Sequence, residues 1–229
     1  MMKKNKISQL CSFIFLGFSI AAGATANPKN PIQFSGTPTS YSIGGSAMPI
    51  YPTASVTLPN GETVDFQLSG KGLRKKWLGI VKVNAYIGIH YLDNPTVLNA
   101  QDPIGSLGHA RRRLMVLHML QNVSPEDIRS EFDDALDVNG VNLNSPEMTS
   151  LREKTTYSLK SGERAYIVGY ESNKDNFENI MVYAQGKLIT ERGTTLVTDV
   201  WKTWFGIPVD EEMAALKSSL LSNAVFFKN

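Results

Sequence analysis

The chain has 229 residues, 42% of them hydrophobic, with one cysteine and 23 Lys and Arg against 21 Asp and Glu. Lys3, Lys4 and Lys6 precede an apolar run from Cys11 to Ala22 and then Ala24-Thr25-Ala26, the pattern of a secretory signal peptide cleaved after Ala26; the remaining 203 residues carry 20 cations against 21 acids, about −1. That balance excludes a basic footprint for nucleic acid, the loss of Cys11 with the leader excludes disulfides and thiolate sites, and no later stretch reaches the roughly 18 apolar residues of a membrane span, so a periplasmic or secreted protein with no integral membrane segment is expected.

In chain order, residues 27–52 are rich in Pro, Ser, Gly and Thr and predict an irregular N-terminal arm, followed by one domain over 53–229. "ASVTLPNGETVDFQLSG" (54–70) holds two β-like runs around Pro59-Asn60-Gly61 and predicts a hairpin. In "RKKWLGIVKVNAYIGIHYLD" (74–93) a charged turn, Arg74-Lys75-Lys76, is expected to launch a strand. "PTVLNAQDPIGS" predicts a short helix or loop, and "RRRLMVLHMLQNV" (111–123), apolar on both faces, a central strand. "SPEDIRSEFDDALDVNG" (124–140) has Ser124 as N-cap, Pro125 at the first helical position and Asp127 three residues after the cap; Ile128, Phe132 and Leu136 form its packing face. "SPEMTSLREKTTYSLKSG" (145–162) repeats the opening and predicts a second helix ending at glycine. "ERAYIVGYES" and "NIMVYAQGKLITER" predict two strands, the second bent at Gln185-Gly186, and the chain closes as helix, Gly-Ile-Pro break, helix. Strands adjacent in sequence with helices inserted indicate an α+β domain, a mostly antiparallel sheet with helices on one face.

Alternation in the 81–91 strand puts Val81, Val83, Ala85, Ile87, Ile89 and Tyr91 on an apolar face bound for the core. The other face carries Lys82, Asn84, Tyr86, Gly88 and His90, and a glycine beside Tyr86 marks close approach by a ligand or another backbone. A guanidinium at Arg74 near the Tyr86 hydroxyl and Asn84 amide makes a compact donor set for a carboxylate or phenolate. A solvated turn and a wet sheet face are the alternative reading of the same residues.

"GKGLRKKWLGIVKVNAYIGIHYLD", with "LHMLQNVSPEDIRSEF" and "VWKTWFGIPVD", resembles the chalcone isomerase-like superfamily over about 170 residues, from Val56 to Leu221. The resemblance implies an open-faced β-sandwich: a large antiparallel sheet backed by helices, with a ligand cleft between. It implies that Arg74 matches the family's substrate-holding arginine and that Tyr86 stands at or next to the position of a threonine in the plant enzymes. Fatty-acid-binding members hold a carboxylate with arginine and tyrosine at about these places. Thr203 falls roughly where the plant enzymes line the cleft with Ser or Thr. The catalytic tyrosine and lysine expected after the central strand are missing from 116–138, where Glu126 or Asp127 would repel a phenolate. True chalcone isomerase activity is therefore not expected.

His90, His109 and His118 show no metal spacing, and no hydrolase elbow, phosphate loop or dinucleotide fingerprint is present, so neither metal nor cofactor is expected. His118 is expected to be a backbone-bonded core histidine, His109 a loop residue and His90 a wet-face residue. Trp201, Trp204 and Phe205 are expected as core anchors. The expected function is non-catalytic binding of a fatty acid or similar amphipathic carboxylate by Arg74, Tyr86, Asn84 and Thr203. An isomerase or lyase using the same cleft, and an envelope structural or partner-binding protein with no small ligand, are the alternatives.

Overall fold

A computed structural model describes residues 29–43, 46–171 and 175–222; the leader lies outside the described residues. In chain order the elements are β1 (Ile32–Ser35), β2 (Thr39–Ile43), β3 (Ser46–Ile50), β4 (Thr53–Thr57), β5 (Thr63–Leu78), β6 (Val81–Leu92), a 3-10 turn (Pro95–Val97), α1 (Pro103–Leu107), β7 (Arg112–Met119), α2 (Pro125–Asp137), α3 (Pro146–Lys154), β8 (Arg164–Glu171), β9 (Glu178–Ala184), β10 (Lys187–Gly193), α4 (Leu196–Phe205) and α5 (Glu211–Leu221). Eight strands make one antiparallel sheet in the order β1-β4-β5-β6-β7-β8-β9-β10, and β2 pairs with β3 apart from it. The fold is thus α+β, a near-meander in which sequence neighbours pair and helices fill the connections.

Two apolar layers form, one on each side of the sheet. On one side Tyr86 and Leu92 of β6, Met115 and Met119 of β7 and Ile180 and Val182 of β9 meet the helices, with Trp201, Trp204 and Phe205 of α4 buried as expected. On the other side Ile87, Ile89 and Tyr91 of β6 meet Ile32, Met48 and Ile50. The stretch expected as an irregular arm therefore supplies three strands. Its buried apolar side chains among the described residues, Ile32, Met48 and Ile50, belong to this second layer, and Pro49 is tolerated because β3 has a partner on one side only. The face it covers is opposite to the helices.

Ser124 and Ser145 cap α2 and α3 as predicted, each accepting from the backbone N–H three residues on, Asp127 and Met148. The Pro59-Asn60-Gly61 loop closes the β4–β5 hairpin with Gly61 at φ +85°. Gln185 and Gly186, at φ +50° and +74°, form a two-residue turn between β9 and β10, so the expected bent strand is a hairpin. α3 ends at Lys154, and Leu159 instead pairs with Val123 as an isolated bridge.

Arg74, Lys75 and Lys76 do not launch a strand; they lie inside the 16-residue β5, with Arg74 opposite Tyr86. A register shift follows, so that Arg74 pairs with Tyr86 but Lys75 with Asn84, leaving Ala85 as the extra residue. This bulge turns Ala85 out of the alternation and into the helix-side layer with Tyr86.

Helix α5 rests directly on β5. A Cβ at Gly70 would lie 1.8 Å from the Leu220 carbonyl oxygen, and one at Gly72 would lie 2.8 Å from Leu216 Cδ1 and Ser219 Cβ. These glycines set the helix close to the strand backbone. Gly70→Ala is expected to lower unfolding free energy by about 1–3 kcal/mol through overpacking, and Gly72→Ala by less, because its nearest contacts lie at 2.8 Å rather than 1.8 Å and one of them, Leu216 Cδ1, is the end of a side chain that can move. Urea denaturation of the two variants measures the difference.

Candidate functional site

A cavity of about 150 Å³ lies between the sheet and the helices. Its floor comes from β6 to β9, through Ala85, Tyr86, Leu117, Ala165 and Val182, and its roof from Phe132 of α2, Leu151 of α3, Thr203 and Trp204 of α4 and Met213 of α5. Tyr157 and Leu159 complete the wall, which is why the early end of α3 matters: an extended segment there turns two large side chains inward. Arg129, Glu131 and Arg152 also line the cavity, and their side chains are about 30% exposed, which places them at its opening.

Of the residues expected to form a site, Tyr86 and Thr203 are on the cavity wall, and Arg74 and Asn84 are not. Asn84 is half-buried and faces Lys75 across the ladder, beyond the bulge. The expectation that the Arg74 guanidinium points into a cleft is corrected by its partner: Nη1 and Nη2 donate to Asp210 Oδ1 and Oδ2, each at 2.7 Å. A guanidinium that is 3% exposed must have its charge matched, and Asp210 supplies a fork-to-fork match. Asp210 is also the N-cap of α5, accepting from Met213 N at 2.6 Å. Burial alone would weaken the Arg74 charge, but Asp210, with smaller effects of Tyr86 and Glu131, more than offsets it. Burial likewise pushes Asp210 up, and the bonds from Arg74 and the Met213 N–H outweigh it, holding the carboxyl below its usual range.

Polar atoms inside the cavity are few. Tyr86 Oη accepts from Trp204 Nε1 at 3.2 Å, which leaves the phenol proton able to donate. Burial pushes the Tyr86 hydroxyl up to about 12, against the opposing pull of Trp204 and Arg74, and burial does the same to Tyr157. Both phenols stay neutral at physiological pH; they can donate hydrogen bonds but do not serve as bases. Thr203 Oγ1 is buried without any hydrogen-bond partner, and so is Arg74 Nε. Chemically, the arrangement is a mostly apolar hollow with the hydroxyls of Tyr86, Tyr157, Thr155 and Thr203 in its wall, a cation one layer behind, and Arg129, Arg152 and Glu131 at the opening.

The Arg74–Asp210 tie joins residues 136 apart in sequence. Asp210 before Glu211-Glu212 carries an N-cap signal, which could have located the start of α5 but not its partner. Met213, Tyr157 and Leu159 carry no sequence signal as cavity residues.

The histidines account for themselves separately. His90, expected on a wet face, is fully buried: Trp201 Nε1 donates to Nε2 at 3.0 Å, which puts the ring proton on Nδ1, 2.7 Å from Ser69 Oγ, and Ser69 Oγ donates in turn to the His90 carbonyl. Every polar atom in the triplet is used. The Ser69–His90 pair has the look of a nucleophile and base, yet neither reaches solvent or the cavity wall. His118 is half-buried with Nδ1 lacking a partner, so the expected backbone-bonded core histidine is not found; His109 is exposed.

Neither a protein-family model nor any curated protein matches the chain. The fold and cavity define it as an α+β protein whose helix-covered antiparallel sheet encloses a mostly apolar hollow. No helix among the described residues is long and apolar enough to cross a membrane.

Burial, with a smaller effect of Arg113, pushes His90 down to about 3 from 6.5. The unfolded chain takes up a proton on this side chain below about pH 6.5 and the folded one does not until near pH 3, so stability falls as pH drops through that window, by about 1.4 kcal/mol per unit. Urea denaturation at pH 7, 6 and 5 is expected to show stability falling in the wild type, more steeply from pH 6 to 5 than from 7 to 6 because the unfolded imidazole is only half protonated near 6.5, and to lose most of that fall in His90→Gln.

Proposed function

We propose that the chain is an exported, periplasmic or secreted, binding protein of the chalcone isomerase-like superfamily, an open-faced β-sandwich whose cavity takes a fatty acid or similar amphipathic carboxylate without transforming it. The observation that carries this reading is the mostly apolar cavity of about 150 Å³ with Tyr86 Oη and the unpartnered Thr203 Oγ1 in its wall. A buried hydroxyl left without a partner costs roughly 1–3 kcal/mol, a cost that a ligand oxygen at Thr203 would relieve. Each methylene buried in the hollow adds about 0.8 kcal/mol, so a modest head-group site suffices for affinity. Arg74 contributes its field from behind Tyr86, its fork being held by Asp210.

Two neutral phenols in the wall, and a lining carboxylate, Glu131, that is paired with Lys76 at the opening, favour binding over proton abstraction. The order of elements agrees with the resemblance: the arginine strand, the central strand leading into a Ser-Pro-Glu helix, and the Trp-rich helix broken at Gly206-Ile207-Pro208 before α5.

Mass spectrometry of small molecules released by denaturing the purified protein tests the reading, with Thr203→Val and Tyr86→Phe in parallel, both of which leave the Arg74–Asp210 tie in place. An acid present in the wild type and depleted in both variants is the expected result. Thr203→Val is also expected to leave the ligand-free protein as stable as the wild type or more so, since it removes an unmet hydroxyl, while weakening acid binding about fivefold to tenfold. Wild-type protein that neither carries an acid nor takes one up in solution overturns the proposal.

A further inference from the structure

The β5–β6 hairpin ends in a tip that neither apolar layer uses. About the turn at Gly79, which takes φ +63°, four large apolar side chains stand in solvent: Trp77, Leu78 and Val81 are 55–56% exposed and Ile80 is 93% exposed. Hairpin ends are ordinarily built from polar turn residues, and four clustered apolar side chains at such a place mark a contact surface. Directly behind them come Lys75, Lys76 and Lys82. Lys82 Nζ lies 4.8 Å from the centroid of the Trp77 ring and bonds Glu212, Lys76 bonds Glu131, and Lys75 is exposed and in no ion pair among the described residues.

From the turn inward, then, the hairpin presents aliphatic groups, an indole level with Lys82, and then Lys76 and Lys75, of which Lys76 and Lys82 are paired with carboxylates and Lys75 stands exposed with no ion pair among the described residues. That is the order of environments met between the acyl region of a bilayer, its interface and an anionic headgroup layer. A protein partner fits less well: four side chains at the end of a two-stranded ribbon are far fewer than the roughly 20–30 residues a side of a stable interface. Lipid requires no matching shape. The tip is also tied to the cavity: Glu131, the partner of Lys76, lines the opening on α2, and Glu212, the partner of Lys82, precedes the cavity residue Met213 on α5.

We propose that residues 77–81 are a membrane-docking tip that seats in the interface of an anionic bilayer and holds the cavity opening beside the lipid. Docking stands on the tip alone; that it brings an amphipathic acid to or from the cavity rests on the binding reading above.

The test is co-sedimentation of the protein, purified as the cell processes it, with vesicles of mixed phosphatidylglycerol and phosphatidylethanolamine and with vesicles of phosphatidylcholine, together with tryptophan emission. The wild type is expected to sediment with the anionic vesicles and to shift its emission to shorter wavelength, because Trp77 leaves water while Trp201 and Trp204 are already buried. Ile80→Asp, at a position that packs on nothing, is expected to keep the wild-type melting temperature and to lose vesicle binding at least tenfold. Lys75→Glu is expected to weaken binding to the anionic vesicles several-fold and to leave phosphatidylcholine unaffected. Wild type that sediments with neither vesicle, or Ile80→Asp that binds as the wild type does, overturns the proposal. So does self-association seen by sedimentation velocity without lipid and abolished by Ile80→Asp, which would assign the tip to a second copy. Uptake of a fatty acid from solution, measured on the same Ile80→Asp protein, separates the two claims. Uptake retained with docking lost supports both, and docking by the wild type with no uptake in either protein leaves the tip standing and removes the cavity ligand.

Discussion

The fork-to-fork bond between Arg74 and Asp210 is the interaction on which the rest of the structure depends. Taking a guanidinium out of water costs several kcal/mol, and only a well-placed carboxylate offsets it. The sequence supplies that carboxylate at the first turn of α5, where it also satisfies the Met213 N–H. One side chain thus fixes both the start of the helix and its position on the sheet. Gly70 and Gly72 make the approach possible, because any larger residue at either position would meet Leu220, or Leu216 and Ser219. With α5 fixed, Met213 reaches the cavity roof, and Tyr86, opposite Arg74 in the ladder, stands in its floor.

The same tie changes what Arg74 can do. A cation whose fork is already filled by an internal carboxylate does not act as an open anion receptor; it acts through its field on Tyr86, where it opposes the rise that burial imposes on the phenol. The groups left unspent in the hollow are then neutral hydroxyls. Neutral donors in an apolar wall suit holding an acid by its head and burying its tail, while Glu131, the carboxylate at the opening, is tied to Lys76.

Much of the fold was legible where local chemistry decides structure. Ser-Pro-Glu twice marked a helix start, Pro59-Asn60-Gly61 marked a hairpin, and the alternation read over 81–91 separated the two faces of β6 from Tyr86 to Tyr91, while Val81, expected in the core, is exposed and Ala85 is turned to the other face. Strands within 27–52 were missed because three buried side chains, Ile32, Met48 and Ile50, are too few to make a periodic pattern yet enough to close a layer. The three cations at 74–76 looked like a turn because sequence does not show a carboxylate arriving from 136 positions away. The bulge at Ala85, which puts two successive residues on the same wall, has no signature in a single sequence either. For the site, Tyr86 and Thr203 were within reach of pattern and resemblance, whereas Asp210, Met213, Tyr157 and Leu159 belong to it only through packing.

If the hollow between sheet and helices takes an amphipathic acid, a crystal structure of the protein grown with a medium-chain fatty acid shows it most directly. The expected density is a chain against Phe132 and Met213, with a carboxylate oxygen within hydrogen-bond distance of Tyr86 Oη or Thr203 Oγ1. A hollow that stays empty at saturating acid, with the lipid absent or bound elsewhere on the surface, would contradict the binding reading.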